Sequence, residues 1–385
     1  MQHGDTGNGT GISRGRFLAG AGAVGVAALA AVAGDLATAP AASAGTEPRR
    51  GLTYRGVCYE VGDGESPAMA WNAARMRRDM RALRHDLHAN SVSVFGDGVE
   101  RLAATATEAA GRGLHVWLQP RLGDVPERDI LDHLAETGRH AERLRRQGAR
   151  VYLSVGCEFV LFVPGIVPGA NAVERVENML KGTYDPERMM RRLREVVARA
   201  ARVGRSVFHG PLTYGAAHDE EVDWSLFDVV GVNYYGYHRD RAGYVKDLSP
   251  HLRWGKPVAV TESGCCTYEG APQQGGMGWH DVVDYTKDPY EVIGGLKRSE
   301  RTQAAYLLDV FGAFESMGLH AALVYSFVTP ESQHLPDPRL DIDMTSYSLT
   351  RTIRERPDDI DSPWHWEPKE SFRALAGHFR RAAGR

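Results

Sequence analysis

Residues 76–95 read MRRDMRALRHDLHANSVSVF, which is a charged periodic segment followed by a short apolar one. Apolar Met76, Met80 and Leu83 recur every three or four residues, which is the period of one helix face. The run 90–95 is short and alternates serine with valine, which is typical of a buried strand. The stretch therefore predicts a helix that leads into a strand, one half of a βα repeat.

The same alternation continues in both directions from this stretch, beginning near Tyr54. The eight predicted strands are 53–58, 90–95, 114–119, 151–156, 206–209, 228–234, 257–262 and 321–327. Predicted helices lie between them, such as 69–88 and 187–203, and a last helix covers 369–380. Eight such units in one chain favour a single-domain α/β fold, a (β/α)8 TIM barrel, over a doubly wound sheet.

Composition restricts the class of protein. The chain has 385 residues, of which 43% are hydrophobic and 25% charged, so it can bury one large core. Its 46 Lys and Arg against 49 Asp and Glu give a net charge of −3. Because nucleic-acid binding draws on excess positive charge, we expect no nucleic-acid partner.

The first 44 residues have the pattern of an export signal. An apolar stretch, 17–33, follows Arg14 and Arg16 and precedes the small-residue run 42–44. We therefore predict a cleaved signal over 1–44 and a barrel over 45–385, hence a secreted protein with no stable membrane insertion after cleavage. Gly15 stands where a twin-arginine signal has its second arginine, so a Tat-like and a Sec route both stay open. An uncleaved membrane anchor is the alternative.

Two predicted strands end in a glutamate, Glu158 after the fourth and Glu262 after the seventh. Long connections, 159–184, 263–298 and 328–368, follow strands four, seven and eight, on the face where barrels place active sites. A structural ion pair with Arg121, at the end of strand three, is the alternative for either glutamate. Two carboxyl groups across one barrel mouth can, however, acquire different pKa values and act as acid and nucleophile.

Several segments together resemble a known group of enzymes. They are 76–83 leading into 90–94, VGCE at 155–158, FDVVGVNYY at 227–235, KPVAVTE at 256–262 and WEPKESF at 366–372. With them the chain resembles the clan A retaining glycoside hydrolases, and more loosely the β-mannanase-type families with a Gly-x-Glu acid/base motif. The resemblance implies that Glu158 is the acid/base, Glu262 the nucleophile and Tyr235 the tyrosine that hydrogen-bonds the nucleophile.

The chain departs from that pattern at two places. Cys157 stands where an asparagine commonly precedes the acid/base and contacts the sugar 2-hydroxyl. The arginine often found at the end of strand two is missing, because this strand reads NSVSVF over 90–95. Arg121 is the candidate to supply that positive charge beside Glu262, and a plain loop salt bridge is the alternative.

Three further residues are candidates for substrate binding. Asn233 belongs to the strand-six motif, and His209 follows predicted strand five. Trp279 lies in the loop after Glu262, where an indole can stack on the apolar face of a sugar. Trp364 and Trp366 are aromatic candidates of the same kind, although Trp366 is better explained as a packing residue. For the histidine, a structural role is the alternative.

Four cysteines, Cys58, Cys157, Cys265 and Cys266, all fall near predicted carboxyl ends of strands. In an exported protein they permit disulfides, but the simpler interpretation is buried side chains with at most one bridge. Neither Cys-x-x-Cys nor His-x-x-x-His spacing occurs, so we expect no metal site and no cofactor.

These observations predict a secreted retaining glycoside hydrolase that cleaves an oligo- or polysaccharide by a two-step double displacement. The two carboxyl groups should then lie about 5 to 5.5 Å apart. Three alternatives stay open. They are a transglycosylase on the same residues, a non-catalytic carbohydrate-binding barrel, and a thiolate or metal hydrolase that uses the cysteines.

Overall fold

The computed structural model describes residues 51–383, so the predicted export signal at 1–44 lies outside the described residues. Over 51–383, none of the helices combines the length and the apolar composition that crossing a bilayer requires.

Eight parallel strands form the barrel, as the sequence predicted. They are β1 (Tyr54–Val61), β2 (Ser91–Gly96), β3 (His115–Pro120), β4 (Val151–Cys157), β5 (Leu212–Gly215), β6 (Val230–Asn233), β7 (Val258–Ser263) and β10 (Ala321–Val324). Hydrogen-bonded neighbours follow the order β5-β4-β3-β2-β1-β10-β7-β6. The ring closes between β5 and β6, where Ala216 N donates to Gly231 O at 3.0 Å and Asn233 N donates to Ala216 O at 2.8 Å.

The described residues form nine α-helices. They are α1 (Ala73–His85), α2 (Val99–Gly111), α3 (Glu127–Arg146), α4 (Phe159–Phe162), α5 (Ala172–Leu180), α6 (Pro186–Val207), α7 (Arg241–Leu252), α8 (Glu300–Ser316) and α9 (Glu370–Ala383). These helices cover the outside of the barrel or, for α4 and α5, lie in the connection after β4. In α1 the predicted stripe of Met76, Met80 and Leu83 is buried, and the Asn72 side chain caps the first turn. Pro186 after the Asp185 cap starts α6 in the same local way.

The three long connections leave the carboxyl ends of β4, β7 and β10. The first contains α4 and α5, and the second contains a small hairpin, β8 (Val283–Asp284) and β9 (Glu291–Val292). The third contains the hairpin β11 (Thr350–Arg354) and β12 (Trp364–Pro368). All three therefore surround one mouth of the barrel.

The predicted fifth strand, 206–209, is wrong, because α6 continues through Val207 and β5 begins only at Leu212. The backbone N–H of Phe208 still donates to Gly204 O at 2.9 Å, the spacing of a helical turn. The Val207 side chain packs where Gly138 of α3 leaves room, since a Cβ on Gly138 would lie 2.5 Å from it. Apolar packing between two helices, not sheet pairing, therefore explains this run.

A group of aromatic rings fills the amino end of the barrel. His115 stacks on Tyr54 with ring centroids 3.9 Å apart and meets the edge of Tyr152 at 4.4 Å. His115 is fully buried and neither ring nitrogen has a hydrogen-bond partner within the described residues. Burial lowers the pKa of His115 to about 3, with the nearby His320 and Arg150 charges adding to the effect, so the ring stays neutral.

Candidate active site

Glu158 follows β4 directly and lies buried in the barrel mouth. Its backbone adopts a left-handed conformation with φ 43° and ψ 54°, which is rare for a residue with a side chain. Side-chain Oε1 accepts a hydrogen bond from Asn233 Nδ2 at 2.8 Å. The other oxygen, Oε2, is buried and has no hydrogen-bond partner among residues 51–383.

Glu262 lies on β7 and is equally buried, but hydrogen-bond donors reach both of its oxygens. The Arg121 guanidinium forms an ion pair with Oε1 through Nη2, and the Cys157 thiol donates to the same oxygen at 3.6 Å. The Tyr235 hydroxyl donates to Oε2 at 2.9 Å. This environment stabilises an ionised carboxylate.

The two carboxyl groups face each other closely. One oxygen of Glu158, one oxygen of Glu262 and the Cys157 sulfur all lie within 4.8 Å of one another. Two carboxylates at such a distance in a buried site cannot easily both be charged.

Their surroundings separate the two pKa values. Burial and the negative charge of Glu262 raise the pKa of Glu158 well above its ordinary value. Burial also raises the pKa of Glu262, but the positive charge of Arg121 and hydrogen bonds from Arg121 and Tyr235 oppose that rise. The proton shared by the pair therefore belongs on Glu158, and Glu262 is the ionised member.

Arg121 occupies the position beside Glu262 that the sequence suggested for it. Its guanidinium lies 4.3 Å from the centre of the Phe95 ring, and Nη2 also donates to Cys157 Sγ at 3.2 Å. Burial raises the pKa of the Cys157 thiol well above its ordinary value, so the sulfur is a neutral thiol in this site. A thiolate nucleophile is not consistent with that environment.

Two cavities are lined by residues that contact the carboxyl pair. One cavity has a volume of about 310 Å³. We call it the Glu60 cavity, and its lining includes Glu60, Arg121 and Trp364. The other cavity has a volume of about 430 Å³. We call it the Tyr237 cavity, and its lining includes Tyr237, Asn233 and Tyr235. Each cavity thus contains a residue that contacts one of the two glutamates.

Glu60 is a functional candidate that the sequence reasoning missed. It lies on β1 one residue before the strand ends, so the signal that identified Glu158 and Glu262 was present here too. Burial raises the pKa of Glu60 to about 8, and the neighbouring Glu331 carboxyl adds to this rise. A carboxylic acid that is protonated at neutral pH is able to donate a hydrogen bond into the cavity.

A second missed group supports the backbone after Glu158. The Glu220 carboxylate accepts from Val160 N at 3.1 Å and from the Tyr214 hydroxyl at 2.8 Å. That hydroxyl in turn accepts from Phe159 N at 2.7 Å. These bonds satisfy the first backbone donors of the short helix α4, which begins directly after the acid/base candidate.

Two sequence predictions need correction. His209 precedes β5 and lies at the amino end of the barrel, where its backbone N–H donates to Glu142 Oε2 at 3.1 Å. His209 lies at that end because β5 begins later in the chain than the predicted fifth strand. Trp279 is buried in the hydrophobic core, and its indole N–H donates to Gly276 O at 3.1 Å. Trp279 therefore offers no open stacking face, whereas Trp364 does line a cavity.

All four cysteines are buried and unpaired, so the structure contains no disulfide among them. Two groups of metal-ligating side chains occur within 51–383. One is Cys157 with Glu158 and Glu262; the other is His334 with Asp341 and Asp343. Arg121 contacts the first group, and Arg298 and Lys369 pair with the aspartates of the second. In both groups these cations therefore pair with carboxylates that a metal ion would otherwise use.

No protein-family model matches this sequence, and neither does any curated protein. Solved structures do match its fold. Fpglu1 from Fervidobacterium pennivoraus has a TM-score of 0.54 and 11% identity, covering 86% of this chain and 96% of that one. A GH113 β-1,4-mannanase has a TM-score of 0.52 and 12% identity, covering 86% of this chain and 99% of that one. The GH113 β-mannanase AaManA from Alicyclobacillus acidocaldarius has a TM-score of 0.52 and 16% identity, covering 86% of this chain and 98% of that one.

These similarities confirm the predicted single (β/α)8 barrel and the predicted resemblance to the clan A glycosidases at the level of fold. At such identities they do not assign an activity, which has to be argued from the residues of the site.

Proposed function

We propose that this protein is a retaining glycoside hydrolase that uses Glu262 as the nucleophile and Glu158 as the acid/base. The observation that carries the proposal is the close approach of the two carboxyl groups, since one oxygen of Glu158 lies within 4.8 Å of one oxygen of Glu262. Retaining enzymes have carboxyl groups about 5 to 5.5 Å apart, whereas inverting enzymes need about 6.5 to 9.5 Å to admit a water.

In the first step Glu262 attacks the anomeric carbon while Glu158 transfers its proton to the departing glycosidic oxygen. Arg121 and Tyr235, which donate hydrogen bonds to Glu262, keep the attacking carboxylate ionised and fix its orientation. The carbon–oxygen bond to the leaving group breaks as the bond to Glu262 forms. The product is a covalent glycosyl-enzyme.

In the second step Glu158, now a carboxylate, removes a proton from water, which attacks the same carbon. The bond to Glu262 breaks, and Arg121 and Tyr235 stabilise the carboxylate as it leaves. Two inversions at one carbon restore the starting configuration. No step requires a cofactor.

The proposed substrate is an oligo- or polysaccharide. The Glu60 cavity contains the half-buried indole of Trp364, and the Tyr237 cavity contains the exposed phenol ring of Tyr237. Aromatic faces and hydrogen-bonding side chains together are the usual surroundings of a sugar.

A screen of aryl glycosides and cell-wall polysaccharides tests the proposal, with the anomeric configuration of the first product followed by NMR. Glu262→Gln should abolish turnover, and Glu158→Gln should abolish it on polysaccharides and other substrates with poor leaving groups. Glu136→Gln, on the exposed face of α3, is the matched control. Mono- and disaccharide acceptors added to the assay distinguish hydrolysis from transglycosylation. An inverted first product, or glycan binding without turnover, would contradict the proposal.

We also propose that residues 1–44 direct the chain out of the cytoplasm and are removed. The support is the order of charged, apolar and small residues in the sequence. Expression of the full chain, followed by fractionation and amino-terminal sequencing, tests this. A mature chain that begins near Gly45 outside the cytoplasm is expected, and an intact amino terminus in the cytosol would contradict it.

A further inference from the structure

Three side chains at the barrel mouth form a chain of hydrogen bonds that ends on the acid/base candidate. The hydroxyl of Thr261, on β7, donates to Asn233 Oδ1 at 2.7 Å. Asn233, the last residue of β6, donates through Nδ2 to Glu158 Oε1 at 2.8 Å. All three residues are buried, so water does not compete for these bonds.

The chain of bonds has one direction. Asn233 Oδ1 accepts from a hydroxyl, and Nδ2 uses its hydrogens on Glu158 Oε1 and on Cys157 Sγ at 3.3 Å. A rotated amide would turn Oδ1 toward the Glu158 carboxyl group and remove the donor from the sulfur. The amide is therefore held as a donor toward Glu158.

This direction decides where the acid proton resides. An N–H that points at Glu158 Oε1 uses this oxygen as the acceptor, which favours the carbonyl form there and the O–H group on the other oxygen. This arrangement therefore favours the proton on Oε2, the buried oxygen with no hydrogen-bond partner in the described part of the chain. A proton on that oxygen is not engaged by any other group in residues 51–383, so it is the one available for transfer to a leaving group.

We propose that Asn233, oriented by Thr261, is a positioning residue that places the acid proton of Glu158 on Oε2. The inference rests on the proposed function, since it assigns a role within the same acid/base step. Asn233 does not touch the reacting atoms; it acts through Glu158.

Other charges also act on Glu158, and the test must separate them from Asn233. The titratable and charged groups that face Glu158 are Glu262, Arg121, Glu220, Cys157 and Tyr235. Asn233 lowers the pKa of Glu158 by donating to its ionised form. Loss of a hydrogen bond to a charged group should raise that pKa by about one unit or more.

The experiment compares Asn233→Ala and Thr261→Val with Thr213→Val. Thr213 is the matched control, because it is an equally buried threonine on β5 whose hydroxyl donates to Val229 O at 3.0 Å. In Asn233→Ala we expect kcat/KM for phenyl glycosides to fall about tenfold to a hundredfold. For dinitrophenyl glycosides, whose leaving group needs no proton, it should be almost unchanged.

In the pH profile of kcat/KM, the basic limb should move to higher pH in Asn233→Ala because the pKa of Glu158 rises. In Thr261→Val it should move in the same direction by less. Thr213→Val should leave both the leaving-group dependence and the profile as in the wild type. Equal losses on good and poor leaving groups, or an unmoved basic limb, would overturn the inference. Circular dichroism checks folding, and Thr261→Val carries the test if Asn233→Ala does not fold.

A direct titration distinguishes this inference from the proposed function. In protein with ¹³C-labelled glutamate, the Glu158 resonance is the one missing from Glu158→Gln. Its pKa should rise in Asn233→Ala and not in Thr213→Val, and an unchanged pKa would overturn the assignment. A wild-type protein that turned over no glycoside would instead refute the proposed function, and the titration would still decide where Asn233 acts.

Discussion

Replacing Tyr235 by phenylalanine removes one hydrogen bond from the proposed nucleophile and changes little else in shape. The Tyr235 hydroxyl donates to Glu262 Oε2 at 2.9 Å inside a buried site. A hydrogen bond to a charged group is worth about 1.5 to 3 kcal/mol, which corresponds to a change of about one to two pKa units. Because the bond stabilises the ionised form, its loss should raise the pKa of Glu262.

The sign of the effect on activity follows directly. Glu262 must be ionised to attack, so activity rises as the pH increases through its pKa. In Tyr235→Phe the acid limb of kcat/KM should therefore move to higher pH by about one to two units. A more basic Glu262 is also a poorer leaving group, so the glycosyl-enzyme should accumulate and give a burst of aglycone with an activated aryl glycoside.

Tyr234→Phe is the matched control for this measurement. Tyr234 is the neighbouring tyrosine; it also lines the Tyr237 cavity, but its hydroxyl donates at 2.9 Å to Asp247 of α7 and not to Glu262. The acid limb should stay in place in this variant. An unmoved acid limb in Tyr235→Phe, or an equal shift in both variants, would refute the reasoning.

Three further results are expected. Glu158→Ala should lose least on dinitrophenyl glycosides, and azide should accelerate it with retention of configuration; equal losses on all leaving groups would contradict the acid role. Glu262→Ala should lose about 10⁴-fold or more with every leaving group, and azide should yield an inverted product, whereas near-normal turnover would exclude it as the nucleophile. Neutral, buried His115 has a pKa of about 3, so its contribution to the free energy of unfolding is complete above about pH 6.5 and is lost as the pH falls toward 3. The loss amounts to at most about 5 kcal/mol, and His115→Phe should flatten the acid part of the stability curve measured with urea; an unchanged slope would show that another group controls it.

Local patterns were sufficient to predict the barrel and its two central carboxylates. The period of α1 and the apolar runs of β4 and β7 depend on neighbours a few residues away, which the sequence displays directly. Glu158 and Glu262 end strands that must be parallel in a βα repeat, so both had to meet at one mouth. Arg121 was placed by the same argument. Glu60 satisfied it as well, but was overlooked.

Tertiary packing decided what these patterns could not. The end of α6 depends on the packing of Val207 against Gly138 of α3. Because the helix extends that far, His209 lies at the amino end of the barrel and not at the mouth. The burial of Trp279 depends in the same way on how its long loop folds back onto the core.

The sequence alone determined that Glu158, Glu262 and Arg121 stand at the barrel mouth, because a βα repeat makes the strands parallel and brings their carboxyl ends together. It did not determine which atom of each residue meets which partner. Asn233 contacts Glu158 across 75 positions of sequence, and Arg121 contacts Glu262 across 141. Those pairings, which assign the proton to Glu158 and the charge to Glu262, depend on side-chain directions across the closed barrel. Only the tertiary structure sets these directions, because they result from the packing of all eight strands together.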